Sequence, residues 1–190
     1  RPEADFVMPF PDSGNYAALG YAEESGLPFE MAMIRNHYVG RTFIQPSQAM
    51  RDFSVRVKLN PVHPLIDGRR IVIVEDSIIR GTTSRNRVRR LRESGAREIH
   101  MVVSCPPTRH PCPYGIDFAV RGELVAASKG SVADIASFIG LDGLHYLSIE
   151  GMVEATGMAG GNFCLACYNG QYPLPPPEMP GKFCFEAPQA

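Results

Sequence analysis

Short runs of apolar residues alternate with amphipathic stretches along most of the chain. Strand-like apolar runs occupy residues 4–9, 29–34, 71–74 and 98–104, and stretches with a helical period occupy 16–25, 85–94 and 132–139. A further short strand is predicted at 124–127, and another brief segment at 145–149. Because strands and helices alternate, the pattern predicts an α/β fold in which helices flank a mainly parallel sheet.

This regular pattern weakens towards the C-terminus. Residues 1–150 are predicted to form one domain, and 151–190 a Gly- and Pro-rich extension that packs on it. The chain has 190 residues, of which 44% are hydrophobic and 21% charged, and this is enough for one well-packed core. The net charge of −1 and the absence of any long apolar run predict a cytoplasmic protein without a membrane or nucleic-acid partner.

Residues 71–84, Ile-Val-Ile-Val-Glu-Asp-Ser-Ile-Ile-Arg-Gly-Thr-Thr-Ser, carry the clearest chemical signal. Four β-branched residues predict a strand buried on both faces, which ends in Glu75 and Asp76 and is followed by a hydroxyl-rich loop and a helix. Ligands bind at the carboxyl ends of parallel strands, and amides at a helix N-terminus bind phosphate. Carboxylates accept bonds from sugar hydroxyls and hold hydrated Mg²⁺. The segment therefore predicts a site for a phosphorylated ribose with magnesium.

Two other interpretations of this segment have to be compared with the binding site. A buried strand can end in a solvated acidic turn, and such turns are common. The hydroxyl-rich loop between the acids and the helix favours the binding site over that turn. The loop is not the phosphate loop of ATPases, because the Gly-Lys-Ser/Thr ending is absent.

Residues 72–83 also resemble the phosphoribosyl pyrophosphate (PRPP) motif of type I phosphoribosyltransferases, and their continuation is similar to that of the glutamine PRPP amidotransferase family. The similarity extends from Asp5 to about Tyr172, although the family more often has aspartate in place of Glu75. The resemblance implies a type I phosphoribosyltransferase fold. It also implies transfer of ammonia, normally released from glutamine, to PRPP, which yields 5-phosphoribosylamine and pyrophosphate in purine biosynthesis.

The resemblance assigns residues to this reaction. Ser13, in the Pro-Asp-Ser-Gly sequence at 11–14, would be a magnesium ligand with Glu75 and Asp76. Alone, that sequence predicts an ordinary turn and helix cap, and the two roles are compatible. The implied PRPP-binding residues are Asp12, Ser13, Glu75, Asp76, Ser77, Arg80, Gly81, Thr82 and Thr83.

Residues 35–46 lie in a long irregular connection that, without other context, predicts a solvated loop. They resemble the flexible catalytic loop of the amidotransferases, and residues 57–60 match its far end. Such a lid would keep water from the ribosyl centre. By this resemblance Arg41 and Lys58 join Glu75 and Asp76 as predicted catalytic residues, because their charges would stabilise the departing pyrophosphate.

Five cysteines occur in the chain, at positions 105, 112, 164, 167 and 184. A cytosolic character argues against disulfides, and the Cys-x-x-Cys pair leaves open free thiols, a redox pair, half a zinc site or a cluster site. By the resemblance, Cys112, Cys164 and Cys167 match three ligands of a [4Fe–4S] cluster. The family's fourth ligand lies upstream of this chain, and no pattern supports Cys184 as a substitute. Cys105 is predicted to be a small buried residue.

The family carries an N-terminal glutaminase domain that has no counterpart in these 190 residues, so the chain is expected to use free ammonia. Homo-oligomers and inhibition by purine nucleotides are also expected from the family. Alternatives of other classes are a PRPP- or nucleotide-sensing module without turnover, a zinc module, and an RNA-binding regulator. The last would use the arginine-rich helix at 85–94, but a solvated face is favoured there because no aromatic residues interleave the arginines.

Overall fold

The structure, a computed structural model, describes residues 3–38, 59–116 and 120–175. Its strands are β1 (Phe6–Pro9), β2 (Met33–Arg35), β3 (Leu59–Pro61), β4 (Arg70–Glu75), β5 (Glu98–Val103) and β6 (Gly143–Tyr146). Its α-helices are α1 (Asn15–Ser25), α2 (His63–Ile66), α3 (Thr82–Glu93), α4 (Val125–Ser128), α5 (Val132–Ile139), α6 (Ile149–Glu154) and α7 (Ala166–Asn169). None of the helices in these ranges combines the length and apolar character needed to cross a bilayer.

The main sheet has four strands in the order β1-β4-β5-β6, and every neighbouring pair is parallel. This confirms the predicted α/β fold with a mainly parallel sheet. A separate antiparallel pair joins β2 and β3, with Ile34 opposite Asn60. In the main sheet Pro9 lies opposite Val74, so the chain leaves β1 and β4 at the same edge of the sheet.

Strand β4 is an inner strand of the sheet, between β1 and β5, and its four β-branched residues are buried on both faces. Ile71 and Ile73 pack into the larger part of the core, under helices α3 and α5. Val72 and Val74 pack on the opposite face, against α1. Because both faces of β4 are covered, its sequence is continuously apolar. A half-exposed strand would instead alternate apolar and polar residues.

Helix α3 begins at Thr82, three residues before the predicted start. Gly81 has a left-handed backbone (φ 75°) at the position before the helix, and such a conformation suits glycine. Helix α5 has the predicted limits. Its N-cap Ser131 accepts a hydrogen bond from the Asp134 N–H at 3.1 Å, and the left-handed Gly140 ends it.

The strand predicted at 124–127 is wrong, because helix α4 occupies this segment. The Ser128 N–H donates to the Leu124 carbonyl and closes a helical turn. The Val125 N–H bonds to the carbonyl of Ile79, outside the segment, and not to a strand ladder. Apolar residues in so short a run do not distinguish a buried helical turn from a strand.

The favoured solvated face for the arginine-rich helix is correct only in part. Arg89 is exposed and lies 3.6 Å from Glu93. In contrast, Arg90 donates to the carbonyl of Leu59, and Arg92 forms an ion pair with Asp142. The helix thus uses several of its arginines to bind neighbouring segments of the protein.

The C-terminal part of the described chain packs against residues 109–114. The Tyr172 hydroxyl donates to the carbonyl of Pro111 at 2.7 Å, and the Tyr114 hydroxyl donates to the carbonyl of Leu174 at 2.6 Å. The predicted boundary between residues 150 and 151 falls inside α6, and the division into two parts stays a prediction.

Asp142 provides a test of acid stability. Burial opposes its charged form, but the Ile99 N–H at 2.6 Å and the Arg92 guanidinium outweigh this effect and hold the pKa of Asp142 below its ordinary value of 3.8. The unfolded chain therefore binds more protons than the folded chain as the pH falls below about 4, and the folded protein loses stability there. We expect Asp142→Asn to reduce this acid-side loss. Urea unfolding at a series of pH values measures it, and parallel curves for the two proteins would contradict the expectation.

Candidate functional site

A cleft at one edge of the sheet, here called the strand-end cleft, collects most of the predicted PRPP-binding residues. It has a volume of about 280 Å³ and lies where the loops after β1 and β4 meet the start of α3. Parallel neighbouring strands place their carboxyl ends side by side, and this brings the two loops together. The lining includes Ser13, Glu75, Asp76, Ser77, Arg80, Gly81, Thr83 and Arg87.

Two predicted PRPP-binding residues lie outside this lining. Asp12 belongs to the loop after β1, but its carboxylate forms an ion pair with Arg35 at the end of β2. Thr82 lines a different groove, between α3 and α5. The structure therefore separates these two side chains from the group that faces the cleft.

The loop after β1 packs directly on the end of β4. The Phe10 N–H donates to the Val74 carbonyl at 2.9 Å, and the Gly14 N–H donates to the Phe10 carbonyl at 3.1 Å. A Cβ atom on Gly14 would lie 2.4 Å from the Val74 carbonyl oxygen, so only glycine fits. The peptide bond between Pro11 and Asp12 is cis. These contacts fix the position of Ser13 beside the acids.

The loop after β4 leads into the N-terminus of α3, as predicted for a phosphate-binding turn. The amides of the first helical turn have no carbonyl partners within the helix, so they can bind an anion. The loop is braced from the side of α4 and the turn before it. The Val125 N–H donates to the Ile79 carbonyl at 2.8 Å, and the Arg80 Nε donates to Glu123 at 3.0 Å.

The two adjacent acids differ sharply in environment. Glu75 has only 4% of its surface exposed, whereas Asp76 is exposed and accepts a hydrogen bond from the Ser77 hydroxyl at 3.2 Å. Glu75 forms an ion pair with Arg87 at 2.7 Å. Burial raises the pKa of Glu75, the Arg87 charge opposes this rise, and the Asp76 charge adds to it.

Arg87 is the residue of the cleft that sequence reasoning missed. Its guanidinium lies 5.0 Å from the centre of the Phe10 ring, besides its contact with Glu75. The buried residues of α3 are Ser84, Val88 and Leu91, and Arg87 stands one position from this stripe. A charged residue next to the inward face of a helix that follows a binding loop is the signal that could have identified it.

Comparison with known proteins gives consistent relatives. Amidophosphoribosyltransferase from Synechococcus elongatus is 52% identical over 176 residues, which are 93% of this chain and 36% of that protein. The Archaeoglobus fulgidus enzyme is 51% identical over 184 residues, which are 96% of this chain and 39% of that protein. The chain belongs to the amidophosphoribosyltransferase family. It spans somewhat more than a third of the length of these relatives. A scan against models of protein families gave no match.

Solved structures of amidophosphoribosyltransferases have the same fold. Glutamine PRPP amidotransferase from Bacillus subtilis, complexed with ADP and GMP, superposes with a TM-score of 0.80 at 51% identity over 90% of this chain and 38% of its own. A structure described as the allosteric regulatory enzyme of purine biosynthesis gives a TM-score of 0.82 at 50% identity, over 93% of this chain and 39% of its own. The type I phosphoribosyltransferase fold is therefore confirmed.

Magnesium fits the donors of the strand-end cleft. Ser13, Glu75 and Asp76 supply a hydroxyl and two carboxylates to one cavity. Magnesium prefers oxygen ligands, keeps several waters, and is usually held by one or two carboxylates together with the phosphates of a substrate. The donor set therefore matches a metal that arrives with its substrate.

The predicted iron–sulfur cluster stays a prediction, because the described cysteines are not grouped as metal ligands. The Arg109 N–H and the His110 N–H both donate to the Cys167 carbonyl, so the segment before Cys112 does pack beside the Cys-x-x-Cys pair. However, no three His, Cys, Asp or Glu side chains in the described ranges are grouped to hold a metal. None of the four described cysteines is joined to another by a disulfide, and burial raises the pKa of Cys167.

Some of the predictions concern residues outside the part of the chain that the structure describes. Arg41 and Lys58 of the predicted lid lie outside the described residues, as does Cys184. Their roles stay predictions. Cys105 is half-buried, although it was predicted to be buried, and desolvation raises the pKa of its thiol to about 11.

Proposed function

We propose that this chain is the phosphoribosyltransferase portion of an amidophosphoribosyltransferase and binds magnesium–PRPP in the strand-end cleft. The 5′-phosphate would lie in the loop at 77–83, the ribose at Glu75 and Asp76, and the pyrophosphate near Ser13. The observation that carries this proposal is the convergence of both acids, the Ser13 hydroxyl and the loop before α3 on one cavity. The relatives named above support the same activity.

The reaction would join the nitrogen of ammonia to C1 of PRPP as the bond from C1 to the pyrophosphate oxygen breaks. The products are 5-phosphoribosylamine, pyrophosphate and a proton released to solvent. When bound, magnesium would offset negative charge on the pyrophosphate. No side chain has to act as a strong base, because ammonia is itself the nucleophile.

The residues of the chain would act mainly by positioning. The amides of the loop before α3 would hold the phosphate end of the substrate, and the two acids would hold the sugar hydroxyls. Fixing the phosphate and the sugar hydroxyls together would hold C1 in one orientation for attack. The predicted lid residues Arg41 and Lys58 would exclude water and stabilise the leaving group, by resemblance to the family.

Purine nucleotides are proposed inhibitors on the same chemical grounds. The Bacillus subtilis relative was solved with ADP and GMP. A nucleoside 5′-phosphate carries the ribose 5-phosphate unit that the cleft is proposed to bind, so it would compete with PRPP. We also propose that the protein forms homo-oligomers, as expected from the family.

Titration calorimetry with PRPP and assays of pyrophosphate release test the function. We expect PRPP to bind in the presence of magnesium and to release pyrophosphate when ammonia is added. Binding without release would identify a sensing module in place of an enzyme. Absence of magnesium-dependent binding would rule out the proposal.

A further inference from the structure

The strand-end cleft holds an unusual charge arrangement. Glu75 and Asp76 are adjacent carboxylates that line one cavity, and Glu75 is almost completely buried. Two like charges this close repel each other, and a buried charge is costly unless it is paired. Arg87, twelve residues further along the chain, supplies the cation that meets this need.

The position of the Arg87 guanidinium is set by two groups. One terminal nitrogen (Nη1) lies 2.7 Å from the Oε2 atom of Glu75, and the guanidinium carbon lies 5.0 Å from the centre of the Phe10 ring. Phe10 is fully buried at the end of β1, so it forms a rigid support. Arg87 thus connects the ends of β1 and β4 to α3, the three elements that form the cleft.

The contact leaves the two oxygens of Glu75 unequal. Oε2 accepts from Arg87, and Oε1 is the oxygen that this contact does not use. The Arg87 Nε is buried and has no hydrogen-bond partner among the described residues. The bond from Nη1 to Glu75 is therefore the polar contact that holds the guanidinium in the cleft. A lysine could not reproduce this contact fully, because it lacks the planar group that both stacks on an aromatic ring and donates to a carboxylate.

We propose that Arg87 is a positioning residue of the PRPP site, which holds Glu75 by one oxygen and presents the other to the ribose hydroxyls. This inference rests on the proposed function and deepens it. Arg87 acts through Glu75 and is not required to touch the substrate. Asp76 is exposed and accepts a hydrogen bond from the Ser77 hydroxyl, so it is the acid more available to magnesium.

The test compares Arg87→Met with Arg87→Lys and with the control Arg89→Met. Methionine keeps an unbranched apolar side chain and removes the charge and the donors. Arg89 is on the same helix but exposed, next to Glu93. For PRPP with saturating magnesium, we expect Arg87→Met to raise Kd roughly 30-fold, or about 2 kcal/mol. Arg87→Lys should recover part of this loss, and Arg89→Met should bind as the parent does.

Magnesium pyrophosphate, which has no sugar, separates positioning from a general disturbance of the fold. If Arg87 acts through the ribose contact of Glu75, Arg87→Met should lose several-fold less affinity for magnesium pyrophosphate than for PRPP. The double variant Glu75→Gln/Arg87→Met should bind PRPP no more weakly than Glu75→Gln alone, because contacting residues are not additive. Thermal unfolding of each variant without ligand reports any loss of the folded state.

The outcomes distinguish this inference from the function on which it rests. If the parent does not bind PRPP, the proposed function fails and the inference falls with it. If the parent binds but Arg87→Met binds equally well, only the positioning role is overturned. Equal losses for PRPP and magnesium pyrophosphate, or additive losses in the double variant, would likewise overturn it and show a purely structural role.

Discussion

Replacing Asp76 with asparagine is expected to weaken magnesium-dependent PRPP binding by roughly 100-fold, or about 3 kcal/mol. Asp76 is exposed at the cleft and accepts a hydrogen bond from the neighbouring Ser77 hydroxyl. Its charge is therefore available to a metal or to sugar hydroxyls. The amide keeps the size of the side chain but removes the charge and converts one acceptor into a donor. Calorimetry with PRPP measures the change in Kd.

The pattern of loss in Asp76→Asn identifies the role of this acid. The magnesium concentration needed for half-maximal binding should rise, and ammonia-dependent pyrophosphate release should fall with the affinity. Glu93→Gln is the matched control, because it removes the same charge from an exposed position at the end of α3. Equal pyrophosphate release from Asp76→Asn and the parent would remove Asp76 from the mechanism.

Much of the fold can be predicted from the sequence because local and global signals agree. The strand at 71–74 is apolar without alternation, since helices cover both of its faces. The limits of α5 are marked by a serine cap and a glycine stop. The segment at 124–127 was predicted wrongly because its state depends on a long-range hydrogen bond, from the Val125 N–H to the Ile79 carbonyl. No local pattern encodes such a bond.

The cleft could be predicted only as far as its residues follow one another in the chain. The acids and the loop after them form one continuous segment, so their neighbourhood follows from sequence order. Arg87 and Glu123 approach this segment from other elements. In the sequence Arg87 is one of several arginines in a row of similar residues. Its position beside the inward face of α3 makes it a candidate, and the packing of α3 against the sheet shows that it meets the buried acid.

The contact between the loop after β1 and the end of β4 gives the prediction with the largest expected effect on stability. In Gly14→Ala the new Cβ would lie 2.4 Å from the Val74 carbonyl oxygen, a backbone atom that cannot move without shifting β4. We expect a loss of about 3 kcal/mol, at the upper end of the usual cost of overpacking. In a chain of this length that loss lowers Tm by roughly 6–12 °C. Thermal unfolding of the ligand-free protein measures it.

Gly20→Ala is the matched control, because it adds the same methyl group to the same region of the chain. Gly20 lies inside α1 with nothing within 4 Å of its Cβ position, so the change should stabilise the helix by about 0.5–1 kcal/mol. Gly14 has φ −76°, which alanine adopts readily, so backbone strain cannot explain a loss there. The difference between the two variants therefore isolates the close approach to Val74. If Gly14→Ala unfolds at the temperature of the parent, the loop does not rest on β4, and Ser13 is not held beside the acids.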